Sequence, residues 1–387
     1  MRVTRQSYGS KLISSVIGAI LGIVLFLGSF VVLYINEGRE DLSKIAMNAE
    51  VITQQENNLE SGSLVFIKGN LDTSNYVSDD YLTNDNYIFI TRAVEMYAYV
   101  EKEHKESEDN LGGSTTTVTT YTYEKKWTKS PNKSTTFRGD DNEVPTDIPE
   151  GYNTWIEQKP SDNYQKASDL NMGDYSVGEN VSFSGSKTLN LTQDNTETDD
   201  LDNPVVMEKY LYNSFSEPPA PTSPSLGDIR ISYKVLTSED TGMLLGAVDG
   251  NDILAYITPK NNKLFRFFAE ADSKAEAVLI LESEHKTTTW ILRLVGWFMM
   301  FAGLLAMTGP VTKFLSVIPF FSRISGFIFA VAAFFISIVL SALTILLSII
   351  LQNFWLAVAL IILVILIIIF VIRSKRKKAL SSSNQRR

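Results

Sequence analysis

Hydrophobic and polar positions divide this chain into two kinds of segment. Residues 291–372 carry three charges, Arg293, Lys313 and Arg323, and no carboxylate. Three apolar spans can be read there, at 291–309, 324–351 and 354–372, each near or above the ~17–20 residues that a membrane helix needs. A fourth uncharged run extends from Leu12 to Ile35 near the N-terminus, 24 residues in all. It exceeds the ~15-residue upper limit of a signal-peptide core, and no Ala-x-Ala site follows, so it reads as an uncleaved anchor.

Between the first two spans the period changes. Ser63–Gly69, Tyr87–Glu101, Thr115–Trp127, Asp228–Val235, Met243–Val248 and Leu264–Phe268 alternate, or run apolar, as strands do. Leu42, Ile45, Ala49 and Ile52 recur at helical spacing and predict an amphipathic helix continuing from the anchor. Residues 272–289 predict a helix leading into the second span. Residues 130–224 are rich in Asn, Asp, Ser, Thr and Pro, which predicts long loops with a few short strands such as 180–184. The expected fold is a membrane α-helical bundle of four spans, with a large, mainly β (α+β) non-cytoplasmic domain, residues 36–290, inserted between spans 1 and 2.

Charge then orients the chain. Lys and Arg without acids occupy residues 1–11, the loop 310–323, bracketed by Pro310 and Pro319 as helix breaks, and the tail 373–387. In a four-span bundle all three lie on one side, which the positive-inside rule makes cytoplasmic. Residues 36–290 hold 22 of the 35 Lys and Arg but all 44 Asp and Glu, a formal charge of −22. Such a surface argues against nucleic acid as a partner. With no cysteine, disulfides, cysteine-based zinc sites and thiol catalysis are excluded. The two histidines, His104 and His285, sit among charged residues and predict neither a metal site nor a catalytic triad; no cofactor is expected. Carboxylate pairs arise by chance in so acidic a segment, so Glu95 and Glu101 receive no catalytic role. Sequons stand at Asn132, Asn180 and Asn190, where a eukaryotic host could glycosylate them.

The remaining candidates concern helix contacts. Ser14, Gly18 and Gly22 recur every four residues in the first span, and Gly296 and Gly303 lie in the second; small residues let helices approach closely. Arg293, flanked by Trp290 and Trp297, is expected to extend toward the headgroups, and with Lys313 and Arg323 sets the topology. Asn36-Glu37-Gly38-Arg39 follows the first span. It reads either as a partner-binding junction or as a Glu37–Arg39 ion pair at a helix end.

Several of these stretches carry a resemblance: Asn36-Glu37-Gly38-Arg39, Gly62–Gly69, Val94-Glu95-Met96-Tyr97 with Val100-Glu101, Tyr121–Trp127, Gly227–Ser232, and Gly296–Gly303 followed by Met307-Thr308. In this order and spacing they resemble the transmembrane protein 43 family, also called LUMA. Residues 130–224 depart from the family pattern, and nothing is carried over there. The resemblance implies a four-span protein with a large luminal or periplasmic domain and no established catalytic residues. Animal members are scaffolds of the inner nuclear membrane and endoplasmic reticulum that self-associate and contact emerin and lamins. Bacterial members have neither partner and point to membrane organisation or lipid homeostasis. The expected function is a non-enzymatic, self-associating scaffold in contact with membrane lipids. The location would be the endoplasmic reticulum or inner nuclear membrane in a eukaryote, and the plasma membrane in a bacterium. The alternative is lipid handling or transport through the bundle, although spans without ionisable groups argue against a proton-coupled carrier. An ectodomain hydrolase ranks below both.

Overall fold

The computed structural model describes residues 2–54, 60–110, 114–140, 142–215, 221–315 and 319–353, with isolated positions up to residue 366. Most of the span read at 354–372 and all of the tail 373–387 lie outside the described residues. Five α-helices are present among them: α1 Tyr8–Glu37, α2 Leu42–Ala46, α3 Tyr152–Gln158, α4 Lys274–Leu315 and α5 Pro319–Gln352. The chain forms two units: residues 1–4, 41–108 and 116–283, and residues 5–40, 109–115 and 284–387.

The first unit is built on two eight-stranded sheets. Six strands of one run in the order Arg2–Gln6, Thr115–Thr128, Tyr87–Asp109, Ile229–Thr237, Tyr210–Asn213, Val205–Met207, with Lys187–Thr188 also paired to Ile229–Thr237 and Asn163–Lys166 to Tyr87–Asp109. Alternation sets its register: Val94 lies opposite Ile231 and Ile90 opposite Val235, all four buried. Its edge strand, Arg2–Gln6, comes from the segment that the charge count places on the cytoplasmic side.

Six strands of the second sheet have the order Glu50–Ile52, Leu64–Asn70, Thr241–Asp249, Asp252–Leu254, Tyr175–Val177, Leu170–Met172, and Arg266–Phe268 pairs with Thr241–Asp249 and with Ser182–Ser184. It is covered on both faces. Val65, Ile67, Leu244 and Phe267 join Ile88 and Leu236 in one core. Their neighbours Phe66, Met243, Leu245 and Phe268 enter another, closed by Ala46 of α2 and Ala277, Val278 and Leu281 of α4. Burial on both sides explains why 243–248 reads as a continuous apolar run instead of alternating. Gly242 is required here, since a Cβ would lie 2.4 Å from the Phe268 carbonyl oxygen.

Beneath the first sheet lies a charged group. Arg92 Nη1 donates to Asp79 Oδ1 at 2.8 Å, Tyr233 donates its hydroxyl to the same oxygen at 2.7 Å, and Asn163 Nδ2 donates to Asp79 Oδ2 at 3.1 Å. Burial above all, reinforced by Asp79, pushes the Tyr233 hydroxyl far above the ordinary tyrosine range. Burial works against the charge on Arg92, but Asp79 and Asp80 more than compensate and raise its pKa. A buried carboxylate with fewer donors is costly, so Tyr233→Phe is expected to lower stability by about 2 kcal/mol. Denaturant unfolding of the purified protein, followed by tryptophan fluorescence, checks this.

Three sequence expectations need correction. The helix after the anchor stops at Ala46, because Glu50–Ile52 pairs in parallel with Leu64–Asn70, with Ile52 opposite Ile67. The strand read at 264–268 is split between Lys263–Leu264 and Arg266–Phe268, which pair with different partners. Pro310 does not break a helix but lies inside α4, whereas Pro319 opens α5, where its missing N–H removes no helical bond. Residues 130–224 contribute more order than their composition suggested: α3, seven short strands, and buried Tyr152, Leu191 and Leu211.

In the second unit, α1, α4 and α5 are each long and apolar enough to cross a membrane. Helix α1 is capped by Ser7, whose side chain accepts from the Ser10 amide, and it ends at Gly38. The helix read at 272–289 begins at Lys274 and runs without interruption into the second span as α4, of 42 residues.

Candidate functional site

In the membrane unit the side chains converge where α1 ends and α4 passes it. The interface begins with one line of positions on each helix. On α1, Gly22, Phe26, Ser29, Leu33 and Asn36 alternate in steps of four and three residues. Arg293, Gly296, Met300, Gly303 and Met307 do the same on α4 in steps of three and four. Such spacing keeps a narrow face turned toward a partner helix. Ser29, Leu33 and Met300 are fully buried.

The glycines mark the closest approach. A Cβ on Gly22 would stand 2.7 Å from Ala306 Cβ and 2.7 Å from the Gly303 carbonyl oxygen. One on Gly303 would stand 2.7 Å from the Phe26 amide nitrogen, and one on Gly296 would strike Leu33 Cδ2 at 2.5 Å. Gly22 and Gly303 therefore bring the two backbones into contact, as small residues do in membrane helices. The other members of the expected stripe fall elsewhere. Gly18 has no atom within 4 Å of an added Cβ, and exposed Ser14 accepts from nearby Gln6 Nε2 at 3.3 Å. A four-residue step drifts around a helix, while the seven-residue repeat from Gly22 through Ser29 to Asn36 stays on the interface.

The polar end of this interface is made by Asn36 and Glu37. Arg293 Nε donates to Glu37 Oε1 at 2.7 Å and Arg293 Nη2 to Glu37 Oε2 at 2.8 Å, a two-pronged pair linking α4 to α1. The Glu37 side chain is only 5% exposed, so water screens the pair little. Arg293 also lies 5.0 Å over the Trp290 ring. Asn36 Nδ2 donates to the Thr289 carbonyl at 3.1 Å. Gly38 leaves room for α5: a Cβ there would meet Gln352 Nε2 at 2.5 Å, and that amide donates to the Tyr34 carbonyl at 3.4 Å. Glu37 thus takes Arg293 as its partner in place of Arg39, whose buried Nη1 makes no hydrogen bond. A contact between residues 256 positions apart leaves no local trace in sequence. Lys313 and Arg323 lie near the ends of α4 and α5 that face each other in sequence.

The hydroxyls of these helices turn inward on their own backbone. Ser29 donates to the Phe26 carbonyl, Ser337 to Phe334, Ser341 to Ile338 and Ser348 to Thr344. Among the described residues no group of three or more His, Asp or Glu is placed to hold a metal ion. Glu95 is paired with Arg230 at 2.7 Å, and Glu101 accepts from Arg138 and Tyr123.

With three helices joined by this motif, comparison with known proteins becomes informative. The sequence model of transmembrane protein 43 matches residues 96–354. This chain belongs to the transmembrane protein 43 family. The family match includes residues 130–224, the stretch from which the motifs alone carried nothing over. The chain is 27% identical over 350 residues to transmembrane protein 43 of Mus musculus, covering 85% of this chain and 82% of the mouse protein. It is 25% identical to the protein of Homo sapiens over the same shares. Against the homolog of Drosophila melanogaster it is 24% identical over 308 residues, or 75% of this chain and 76% of that one. No solved structure matches. As a member of this family the chain is a membrane protein with a large, mostly β domain.

Proposed function

We propose that this family member is a non-enzymatic, self-associating membrane scaffold. It is a four-span bundle with both termini cytoplasmic, holding the β domain of residues 36–290 on the opposite side. One observation supports the reading above the others: the charged and amide side chains at this end of the helix bundle join helices to one another. Glu37 and Arg293 neutralise each other, Asn36 ties α1 to α4, and residues 294–312 and 326–351 contain no ionisable side chain for a proton path. In a eukaryotic host the setting would be the endoplasmic reticulum or inner nuclear membrane, with envelope proteins of the emerin and lamin type as partners; in a bacterium it would be the plasma membrane. Chemical crosslinking in native membranes is expected to give discrete oligomers, and a strictly monomeric ladder overturns self-association. Arg39→Glu is expected to leave that ladder unchanged, since Arg39 takes no part in the ion pair.

Topology has its own test. Asn180 and Asn190 are exposed, whereas Asn132 is half-buried and accepts from the Glu101 amide at 3.0 Å. Translation into microsomes is expected to add glycans at Asn180 and Asn190 and to leave Asn132 unmodified. Because the chain has no cysteine, Arg5→Cys can be labelled alone. Labelling from the cytoplasmic side keeps the charge-based orientation; labelling from the glycosylated side replaces it by the strand pairing of Arg2–Gln6.

A further inference from the structure

The strand Tyr87–Asp109 outruns its neighbours, and its far half is bordered on one side only. Thr115–Thr128 lies along one edge. On the other edge Ile229–Thr237 stops opposite Met96, and the Tyr97 amide then donates to the Asp228 carbonyl at 2.7 Å. Asn132 takes two more backbone groups there. Its amide donates to the Tyr99 carbonyl at 3.2 Å, and its Oδ1 accepts from the Glu101 amide at 3.0 Å. Backbone groups of alternate residues point to the same edge, so those of Glu103, Lys105 and Ser107 follow Tyr97, Tyr99 and Glu101 toward it. Among the described residues no strand pairs with these three on that side.

An open edge invites a further strand, and proteins commonly block it with charge. Here the charges have both signs: Lys102-Glu103-His104-Lys105-Glu106, with Lys102, His104, Lys105 and Glu106 exposed. Reversal of this stretch about His104 lays Lys102 on Glu106 and Glu103 on Lys105, so every charge meets its opposite. An antiparallel second copy is such a reversal. Only odd-numbered residues face the edge, so the register can shift only in a way that keeps odd opposite odd. The next register on one side sets Glu103 opposite Glu103, and the next on the other sets Lys105 opposite Lys105, like charges that destabilise a cross-strand pair. Within one chain Lys102 pairs with Glu124, and Glu103 with Lys105 and Arg138. These pairs are solvent-exposed and weak enough to be shared with a second partner.

We propose that residues 102–106 form an interface between two copies of this chain, which join antiparallel along this edge with His104 opposite His104. The proposal rests on the self-association proposed above and names the surface that carries it. Glu103 and Lys105 exchange backbone hydrogen bonds with Lys105 and Glu103 of the second copy. His104 meets its counterpart at the closer, non-hydrogen-bonded spacing, a Cα separation of about 4.5 Å.

The cysteine-free chain makes the test direct. Single cysteines are placed at Lys102, His104 and Glu106 of the full-length protein in native membranes and oxidised with copper phenanthroline. His104→Cys is expected to give a disulfide-linked dimer. Lys102→Cys and Glu106→Cys are not, because four residues at ~3.3 Å each separate either position from its own counterpart, about 13 Å, beyond disulfide reach. In the His104→Cys background, Lys102→Glu is expected to lower the dimer yield about tenfold, and adding Glu106→Lys to restore it, since the exchanged charges again face opposites. Equal crosslinking at all three positions, or a Lys102→Glu loss that Glu106→Lys does not restore, overturns the proposal. The lysine-crosslinking ladder of the unmodified chain separates the two readings. Discrete oligomers without a His104→Cys dimer defeat this edge alone; a monomeric ladder defeats self-association and the edge with it.

Discussion

Replacing Arg293 by alanine is expected to destabilise the assembled helices by about 3–5 kcal/mol, because it leaves the Glu37 carboxylate buried without its cation. The side chain of Glu37 is 5% exposed and accepts from both Arg293 Nε and Arg293 Nη2, so water cannot take over that role without opening the interface. Glu37→Gln should cost less, since an amide carries no charge to neutralise, although it still leaves Arg293 half-satisfied. The double variant Glu37→Gln with Arg293→Ala is then expected to be more stable than Arg293→Ala alone. Thermal unfolding in detergent, compared across the three variants, reads the coupling directly. Equal losses for the double variant and Arg293→Ala would show that the pair is not what holds α1 and α4 at this end.

Gly303→Leu is expected to be at least as damaging, by a different route. The atoms a Cβ would meet are backbone: the Phe26 nitrogen at 2.7 Å, the Gly22 carbonyl oxygen at 2.8 Å and Phe26 Cα at 3.0 Å. A flexible side chain could move aside, but the axis of α1 cannot without undoing the interface from Ser29 to Asn36. Overpacking a well-filled contact usually costs about 1–3 kcal/mol, and a rigid obstacle puts this variant at or beyond the upper end. Gly9→Ala serves as the control, since a Cβ there meets nothing within 4 Å. The yield of detergent-extracted, size-exclusion-homogeneous protein is the readout. Wild-type behaviour of Gly303→Leu would mean that the two helices do not cross there.

Much of the architecture could be read from hydrophobic period and charge. Strands such as 87–101 and 229–235 follow from alternation over a half-buried sheet, and the apolar helices follow from uncharged runs. Legibility failed where tertiary pairing outweighed local pattern. Ala49 and Ile52 keep helical spacing with Leu42 and Ile45, yet the strand Leu64–Asn70 draws Glu50–Ile52 into the second sheet. Pro310 breaks no helix because only the bond of its missing N–H is lost, and the flanking turns continue. In the candidate site the residue types were visible but their partners were not. Asn36, Glu37, Arg293, Gly22 and Gly303 were each conspicuous, whereas the Glu37–Arg293 link and the seven-residue interface depend on how two helices far apart in sequence are aligned. Ser29 and Leu33, both fully buried in that interface, passed unnoticed among other small and apolar residues. A heptad count along the first span, in place of a search for every fourth small residue, would have found them.

The doubly covered sheet also constrains the order in which this protein can be made. Leu64–Asn70 pairs with Thr241–Asp249, with Asn70 opposite Thr241 and Leu64 opposite Ala247. Its second face is closed by Ala277, Val278 and Leu281, just before the next apolar stretch. During synthesis the first strand must wait for some 170 residues to emerge, which at ~5–20 residues per second is roughly 10–30 s. Throughout that wait Val65, Phe66 and Ile67 have no complete core to enter, while α1 already anchors the chain to the membrane. The first core is complete by Ala269 and the second closes only when the start of α4 arrives, so the β domain finishes folding at about the moment its second anchor becomes available for insertion. A chain truncated before Ala277 keeps every strand but is left with an uncovered apolar face, a feature that recruits chaperones and degradation.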